Sequence, residues 1–386
     1  MKKIIKIATV PESLNILLRG QFKFLSKEYE VIGISSFGEN LDELRRREGI
    51  QCIGINMERK ISVIKDFISL IKLVAVLKRE KPDLVHSITP KAGLLAMMAA
   101  WIARVPIRIH TFTGLIFPTR SGFLQKVLIF MDKLICRFAT NIYPEGEGVR
   151  NDLIKYRITA KPLRILANGN VNGVDLDYFN PSKIKENEIC ELKQKLMIED
   201  SDFIFVFVGR LVGDKGINEL VNAFKTLLST ANNCSVKLLL VGQSEPELDP
   251  LDRDVVTEIR DNPNIITVGF QKDIRPYLLI SHTFVFPSHR EGFPNVVLQA
   301  GAMGLPCIVT DISGSNEIIE NGYNGSIVPV KDVYLLMNVM KDYVRNSENF
   351  SRLKNNSRLN IELKYSQPLV WGELEKEYKR LLYKNV

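Results

Sequence analysis

Polar and apolar positions alternate in two rhythms along this chain. Short apolar runs that fit strands are followed by stretches with apolar residues every three or four positions, which fit helices. The pattern predicts a strand over Ile4–Val10, helical spacing over Leu14–Lys27, a strand over Val31–Ser35 and a short helix over Leu41–Glu48. A helix over Val63–Arg79, a strand over Leu84–Ser87, a helix over Lys91–Arg104, a strand over Ile107–Thr111 and a helix near Phe123–Ala139 follow. Strands separated by helices imply parallel βαβ units in a doubly wound sheet.

The rhythm breaks around Leu166–Pro181, where Asn168-Gly169-Asn170-Val171-Asn172-Gly173-Val174-Asp175 is rich in turn formers. It restarts with Phe203–Gly209, an unbroken apolar run ending in glycine, as expected of a strand buried on both faces. A helix over 216–230 and strands near 236–241, 265–268, 283–286, 307–310 and 326–329 come next, and Gln367–Lys384 is amphipathic and helical. The expected class is α/β, with two doubly wound, Rossmann-like parallel-sheet domains facing across a cleft. The expected boundaries are 1–167, a linker at 168–181, a second domain at 182–366, and a terminal helix at 367–386 that packs back toward the first domain. In such sheets ligands bind beyond the carboxyl ends of the strands, so functional residues are expected just after strands.

Composition narrows the class little further. With 45% hydrophobic and 25% charged residues over 386 positions, disordered, collagen-like and low-complexity chains are excluded. Five scattered cysteines (Cys52, Cys136, Cys190, Cys234 and Cys307) form no CxxC pair, so buried thiols in a reducing compartment are expected and neither a disulfide framework nor a zinc site is. The apolar start is interrupted by Lys6 and stopped by Pro11-Glu12, which reads as a buried strand and not a secretory signal. The longest apolar run, Ala92–Ala103, falls short of the roughly 20 residues a spanning helix needs.

Charge changes the picture more. Residues 1–170 hold 28 Lys and Arg against 15 Asp and Glu, whereas the remainder holds 24 against 29. A basic first half fits an anionic membrane surface or a phosphate-bearing substrate, or simply a solvated basic face. No helix-turn-helix, zinc-finger or RNA-binding signature accompanies it, which places nucleic acid last.

Two stretches of the second half carry candidate chemistry. In Gly209-Arg210-Leu211-Val212-Gly213-Asp214-Lys215-Gly216, Arg210 emerges at a strand end and Lys215 stands at the start of the next helix. A planar fork and a point charge beside a helix N-terminus suit a diphosphate, against the plainer alternative of two surface cations at a glycine turn. In Phe286-Pro287-Ser288-His289-Arg290-Glu291-Gly292-Phe293-Pro294-Asn295-Val296-Val297-Leu298-Gln299, a strand ends, a glycine loop carries Glu291, and a helix opens near Pro294. Glu291 can accept hydrogen bonds from sugar hydroxyls or merely cap the helix, and Gln299, about a turn inside, can bond hydroxyls. In the first half His110 ends a predicted strand before Thr113-Gly114, His86 ends another, and His282 reads as an ordinary surface residue.

These motifs together resemble glycosyltransferase family 4, retaining enzymes of the GT-B fold that use sugar nucleotides. Gly209-Arg210-Leu211 with Lys215-Gly216 resembles that family's diphosphate motif, and Glu291-Gly292-Phe293 the first part of its E-x7-E motif. Asn172-Gly173-Val174-Asp175, Asn316-Glu317-Ile318-Ile319 and Asn324-Gly325 also match, and the similarity runs through essentially the whole chain.

The resemblance implies a donor site of Gly209, Arg210, Lys215, Gly269, Phe270, Glu291, Gly292, Phe293, Pro294, Asn295, Val296 and Gln299, taking a nucleotide sugar, by default a UDP-sugar. Arg210 and Lys215 would neutralise the departing diphosphate, Glu291 would hold donor hydroxyls, Gln299 the ribose, and Val268-Gly269-Phe270 the base, while His110 would contact the donor sugar. No metal and no other cofactor are expected. Two departures are evident: Gln299 stands where the family has its second Glu, and Val10-Pro11-Glu12-Ser13-Leu14 replaces its Gly-Gly loop.

On the acceptor side the resemblance places Pro11, Glu12, Ser13, His86, Thr113 and Gly114. Members of this appearance extend polyprenyl-diphosphate-linked saccharides in capsule, exopolysaccharide or O-antigen assembly. That implies a cytoplasmic protein docked peripherally on the inner face of the membrane. Arg45-Arg46-Arg47 and the apolar-basic segment Phe117–Phe138 are the candidate contacts, although a helix buried in the core gives the same pattern. A UDP-sugar 2-epimerase and a non-catalytic nucleotide-binding scaffold share the architecture and are the alternatives.

Overall fold

The computed structural model describes residues 1–58, 62–230, 235–247 and 249–383. Cys234 and Lys384 lie outside them. The chain divides into two compact units, Met1–Gly173 with Gln367–Val386, and Val174–Ser366. Residues 168–173 fall in the first and 174–181 in the second.

The first unit holds β1 (Lys3–Ile7), β2 (Glu30–Ser35), β3 (Gln51–Gly54), β4 (Leu84–Ser87), β5 (Ile107–Phe112) and β6 (Asn141–Pro144). They form one parallel sheet in the order β3-β2-β1-β4-β5-β6. The second unit repeats the plan with β7 (Phe203–Val208), β8 (Val236–Val241), β9 (Ile265–Gly269), β10 (Thr283–Phe286), β11 (Cys307–Thr310) and β12 (Gly325–Val328), ordered β12-β11-β10-β7-β8-β9. Strand order therefore reverses beside β1 in one sheet and beside β7 in the other, the places where open sheets leave a crevice. In β7, Ile204, Phe205, Val206, Phe207 and Val208 are all buried, because helices cover both faces of the sheet.

Three features depart from the expected elements. The helical spacing over Leu14–Lys27 is realised as two short helices, Pro11–Asn15 and Gln21–Leu25. Gly20 separates them at φ +82°, and a Cβ there would come within 2.8 Å of the Trp371 ring. The strands β3 and β6, of four residues each, were not anticipated. Among the thiols, Cys52, Cys136 and Cys307 are buried but Cys190 is exposed, because its helix, Glu186–Lys195, buries no residue fully.

The terminal helix, Gln367–Leu382, packs within the first unit. Tyr378 is fully buried against the sheet, with its hydroxyl 2.6 Å from His86 Nδ1. Tyr143 donates to Glu377, which also receives Arg164 at 2.9 Å and Arg380.

Candidate active site

The second unit brings its two sequence motifs together at the carboxyl ends of neighbouring strands. Thr283 and Phe284 of β10 pair with Phe205 and Val206 of β7, so the loops that follow the two strands start side by side. After β7, Gly213–Lys215 forms a 3-10 turn, and Gly216, at φ +71°, lets the chain enter the helix Ile217–Thr230. A Cβ on Gly216 would lie 2.0 Å from the Pro287 carbonyl oxygen, so the two loops are in contact.

Lys215 and Glu291 meet across this contact, with Nζ 2.5 Å from Oε1 and both side chains less than a fifth exposed. The same carboxylate oxygen accepts a 3.0 Å hydrogen bond from the buried Ser288 hydroxyl. Arg210 reaches solvent at the end of β7 and pairs with Glu245 at 3.3 Å. Arg290 pairs with Asp214 at 3.2 Å, and His289 Nε2 is 3.1 Å from Glu219. Arg210, Lys215 and Arg290 thus each stand opposite a carboxylate.

The helix Asn295–Ala302 opens beyond Glu291 with Pro294 as its N-cap residue. Gln299 lies just over a turn inside, half-buried. Phe293 packs its ring 5.6 Å from Tyr365 and is 6% exposed, and Pro294 is buried, so these two can face a ligand only through backbone atoms. Gly269 ends β9 at φ +66°, and Phe270 after it is 74% exposed, an aromatic face open to a planar ligand.

In the first unit β5 continues through Phe112, because Thr111 and Phe112 pair with Tyr143 and Pro144 of β6. His110 therefore sits inside its strand and not at the end, and is 1% exposed. Its Nδ1 is 2.8 Å from the Ser87 hydroxyl, while Nε2 is buried with no hydrogen-bond partner among the described residues. Gly93 makes room for the ring, since a Cβ there would fall 2.4 Å from Cε1. Burial pushes the His110 imidazole down to about 3, against a smaller opposing effect from the Ser87 backbone, so the ring is neutral.

His86 does not join it. It is one residue short of the end of β4 and is held by Tyr378 and, at 2.7 Å, by the Thr111 hydroxyl. Burial, with the nearby Lys6 and His110, keeps His86 well below the ordinary histidine range. Pro11 is buried at the start of its helix, Glu12 is exposed and accepts from Asn40 at 3.2 Å, and Ser13 is partly buried. The Thr113 hydroxyl donates to the Ile88 carbonyl at 3.0 Å, beside Gly114 at φ +133°. His282 is not an ordinary surface residue: its Nδ1 accepts the Ile204 amide at 3.0 Å and its ring stacks on Phe203, because it closes the start of β10.

The helix Gly122–Phe138 is half-buried, with Ile135 and Cys136 in the core and Phe123, Leu124 and Phe130 exposed. The more apolar outer face belongs to the helix Val63–Glu80, where Val63, Ile64, Phe67, Ile68 and Ile71 are all exposed. Their spacing puts them on one side of the helix, with the exposed Lys65 and Lys72 among them. No described helix is long and apolar enough to cross a membrane.

Ser288 and Ser87, which hold Glu291 and His110, were missed in the sequence. Both lie within three residues of a motif or on a paired strand, but nothing in their spacing marks them.

Two family models match, "Glycosyl transferase 4-like" over residues 6–145 and "Glycosyl transferases group 1" over residues 188–360. The capsular polysaccharide biosynthesis glycosyltransferase CapM of Staphylococcus aureus is 34% identical over 383 residues, covering 99% of this chain and 98% of that one. The Escherichia coli UDP-Gal:alpha-D-GlcNAc-diphosphoundecaprenol alpha-1,3-galactosyltransferase is 31% identical over 73% of this chain and 71% of its own. Anabaena HepE, solved in complex with UDP-glucose, superposes with a TM-score of 0.79 at 17% identity, over 98% of this chain and all of the other. The fold is GT-B, and the chain belongs to the group 1, family 4-like glycosyltransferases and is a glycosyltransferase.

Proposed function

We propose that this glycosyltransferase moves a sugar from a UDP-sugar to a polyprenyl-diphosphate-linked saccharide, with retention of anomeric configuration, in the assembly of a surface polysaccharide. The observation that carries the proposal is the Lys215–Glu291 pair formed between the loops after β7 and β10, with Arg210 following β7 where the strand order reverses. Arg210 and Lys215 take the diphosphate, and the dipole of the helix Asn295–Ala302 adds to the same field. Glu291, fixed by Lys215 and Ser288, accepts from donor hydroxyls. Phe270 covers the base and Gln299 bonds the ribose. UDP-glucose in the complex with HepE and the undecaprenol-diphosphate acceptor named for the E. coli relative support donor and acceptor classes.

In the transfer the bond between the anomeric carbon and the β-phosphate oxygen breaks, and its electron pair leaves with UDP. The acceptor hydroxyl attacks from the face the diphosphate leaves, and a phosphate oxygen takes its proton. Charge grows on the diphosphate as the bond breaks, so Arg210 and Lys215 stabilise the transition state more than the ground state. Two cations in that place perform the neutralisation that a divalent metal performs elsewhere, and transfer proceeds in EDTA. Gln299 cannot ionise and serves only in binding.

The acceptor's lipid requires the protein to meet a membrane. The basic excess of residues 1–170 supplies attraction to anionic lipid, and the apolar faces of the helices Val63–Glu80 and Gly122–Phe138 supply insertion.

The test is transfer from a panel of UDP-sugars to a synthetic polyprenyl-diphosphate-linked N-acetylhexosamine in EDTA, with the product's anomeric coupling read by NMR. An axially retained linkage from one UDP-sugar is expected. An inverted product would refute the mechanism, and a changed sugar nucleotide formed without acceptor would point to an epimerase.

A further inference from the structure

The loop after β8 lies against the loop that carries Arg210 and Lys215. Gly242, at φ +153°, opens it, and a Cβ there would stand 1.7 Å from the Gly209 carbonyl oxygen. The Leu211 amide donates to the Gln243 carbonyl at 2.9 Å. The Asp214 amide donates to Asp249 Oδ2 at 2.6 Å, and the Gly213 amide to the Asp249 carbonyl at 3.3 Å. Between these anchors Glu245 places Oε2 3.3 Å from Arg210 Nη1. Glu245 has no other hydrogen-bond or ion-pair partner among the described residues.

We infer that Glu245 is a resident counter-ion: it holds the Arg210 guanidinium while no donor is bound, gives it up to the diphosphate, and takes it back as UDP leaves. The inference rests on the assignment of Arg210 to the diphosphate. The two acidic partners of the site differ in kind. Glu291 is less than a fifth exposed and fixed by both Lys215 and Ser288, so its pair persists. The Arg210 and Glu245 side chains are 45% and 36% exposed, so their pair opens into water with little desolvation cost.

A diphosphate carries more charge than one carboxylate and offers oxygens spaced for both prongs of a guanidinium, so it wins the exchange. Glu245 then stands beside an anion, tethered by the anchored loop, and repels it. Both the exchange and the repulsion weaken nucleotide binding and hasten its release. Glu245 acts through Arg210 and is a positioning residue, one that sets the balance between donor capture and product departure.

The experiment measures UDP affinity by calorimetry, and UDP dissociation by stopped-flow, for the full chain and for Glu245→Gln, Glu247→Gln, Arg210→Ala and the double variant Glu245→Gln with Arg210→Ala. Glu247 is an exposed acid on the same loop that forms no ion pair with Arg210, and controls for general charge. Glu245→Gln is expected to tighten UDP about three- to tenfold, chiefly through slower release. The gain shrinks when salt rises from about 0.05 to 0.5 M, as screening shortens. It is absent in the Arg210→Ala background. Three results would overturn the inference: unchanged or weaker binding by Glu245→Gln, an equal gain from Glu247→Gln, or a gain that survives loss of Arg210. If the unaltered chain binds no UDP, the diphosphate assignment itself fails, which is a different result from any of these.

Discussion

Lys215→Met separates a donor-site cation from a merely structural one. Methionine keeps most of the side-chain volume beside the Phe286 ring, 6.0 Å from Lys215 Nζ, and removes only the charge and its hydrogen bonds. Two losses follow, and they differ in size and in readout. Glu291 keeps the Ser288 hydroxyl at 3.0 Å but loses a partner in a site where both side chains are less than a fifth exposed. Leaving such a group short of a partner costs about 1–3 kcal/mol. At about 2–4 °C per kcal/mol for a unit of this size, the melting temperature falls by several degrees and the chain stays folded. The second loss is one charge-assisted contact to the diphosphate, about 1.5–3 kcal/mol. At tenfold per 1.4 kcal/mol that weakens UDP binding about 10- to 150-fold. Circular dichroism melts and UDP titration of the same preparation report the two separately. A variant that melts lower but binds UDP as tightly as the unaltered chain would show that the Lys215–Glu291 pair only braces the two loops.

Three further outcomes are expected. Gly216→Ala forces a Cβ to within 2.0 Å of a backbone oxygen at a positive φ, so thermal unfolding should show a loss of more than about 2 kcal/mol together with weaker UDP binding, and an unchanged melt would contradict the loop contact. His110, depressed to about 3 in the fold, contributes stability that is full above the unfolded value near 6.5 and is lost as pH falls toward 3. Urea unfolding of the parent should therefore lose about 2 kcal/mol more between pH 7.5 and 5 than His110→Leu does, the opposing effect of buried Asp132 being common to both; equal losses would refute a neutral buried ring. Ile64→Ser with Phe67→Ser should reduce sedimentation with phosphatidylglycerol vesicles by more than about tenfold at unchanged stability, since each removes apolar surface that is already exposed, and unchanged vesicle binding would remove this helix from the membrane account.

Much of the fold was legible because strand and helix patterns alternate and several strands are unbroken apolar runs. Phe203–Val208 could not be mistaken for anything but a buried strand, and the glycine, cation and helix after it marked a ligand site by position alone. What escaped was short or dictated at long range. β3 and β6 each hold only two consecutive apolar residues, and their partners in the sheet mark them as strands where the local pattern does not. The break at Gly20 depends on Trp371, some 350 positions away, and no local pattern carries that. His86 and His110 looked alike in sequence, each near a strand end before a turn. Their surroundings separate them: one is held by Tyr378 from the terminal helix, the other lies beside Gly93 with an Nε2 that has no hydrogen-bond partner among the described residues. The pairing of Arg210 with Glu245 and of Lys215 with Glu291 likewise required the loops to be brought side by side.

The most direct measurement of the central claim is calorimetric titration of the pure protein with UDP, GDP and ADP in EDTA, repeated with Arg210→Ala. Selective binding of UDP without metal, lost on removal of Arg210, is the predicted result. Absence of nucleotide binding, or UDP binding indifferent to Arg210, would contradict a donor site built beyond β7 and β10.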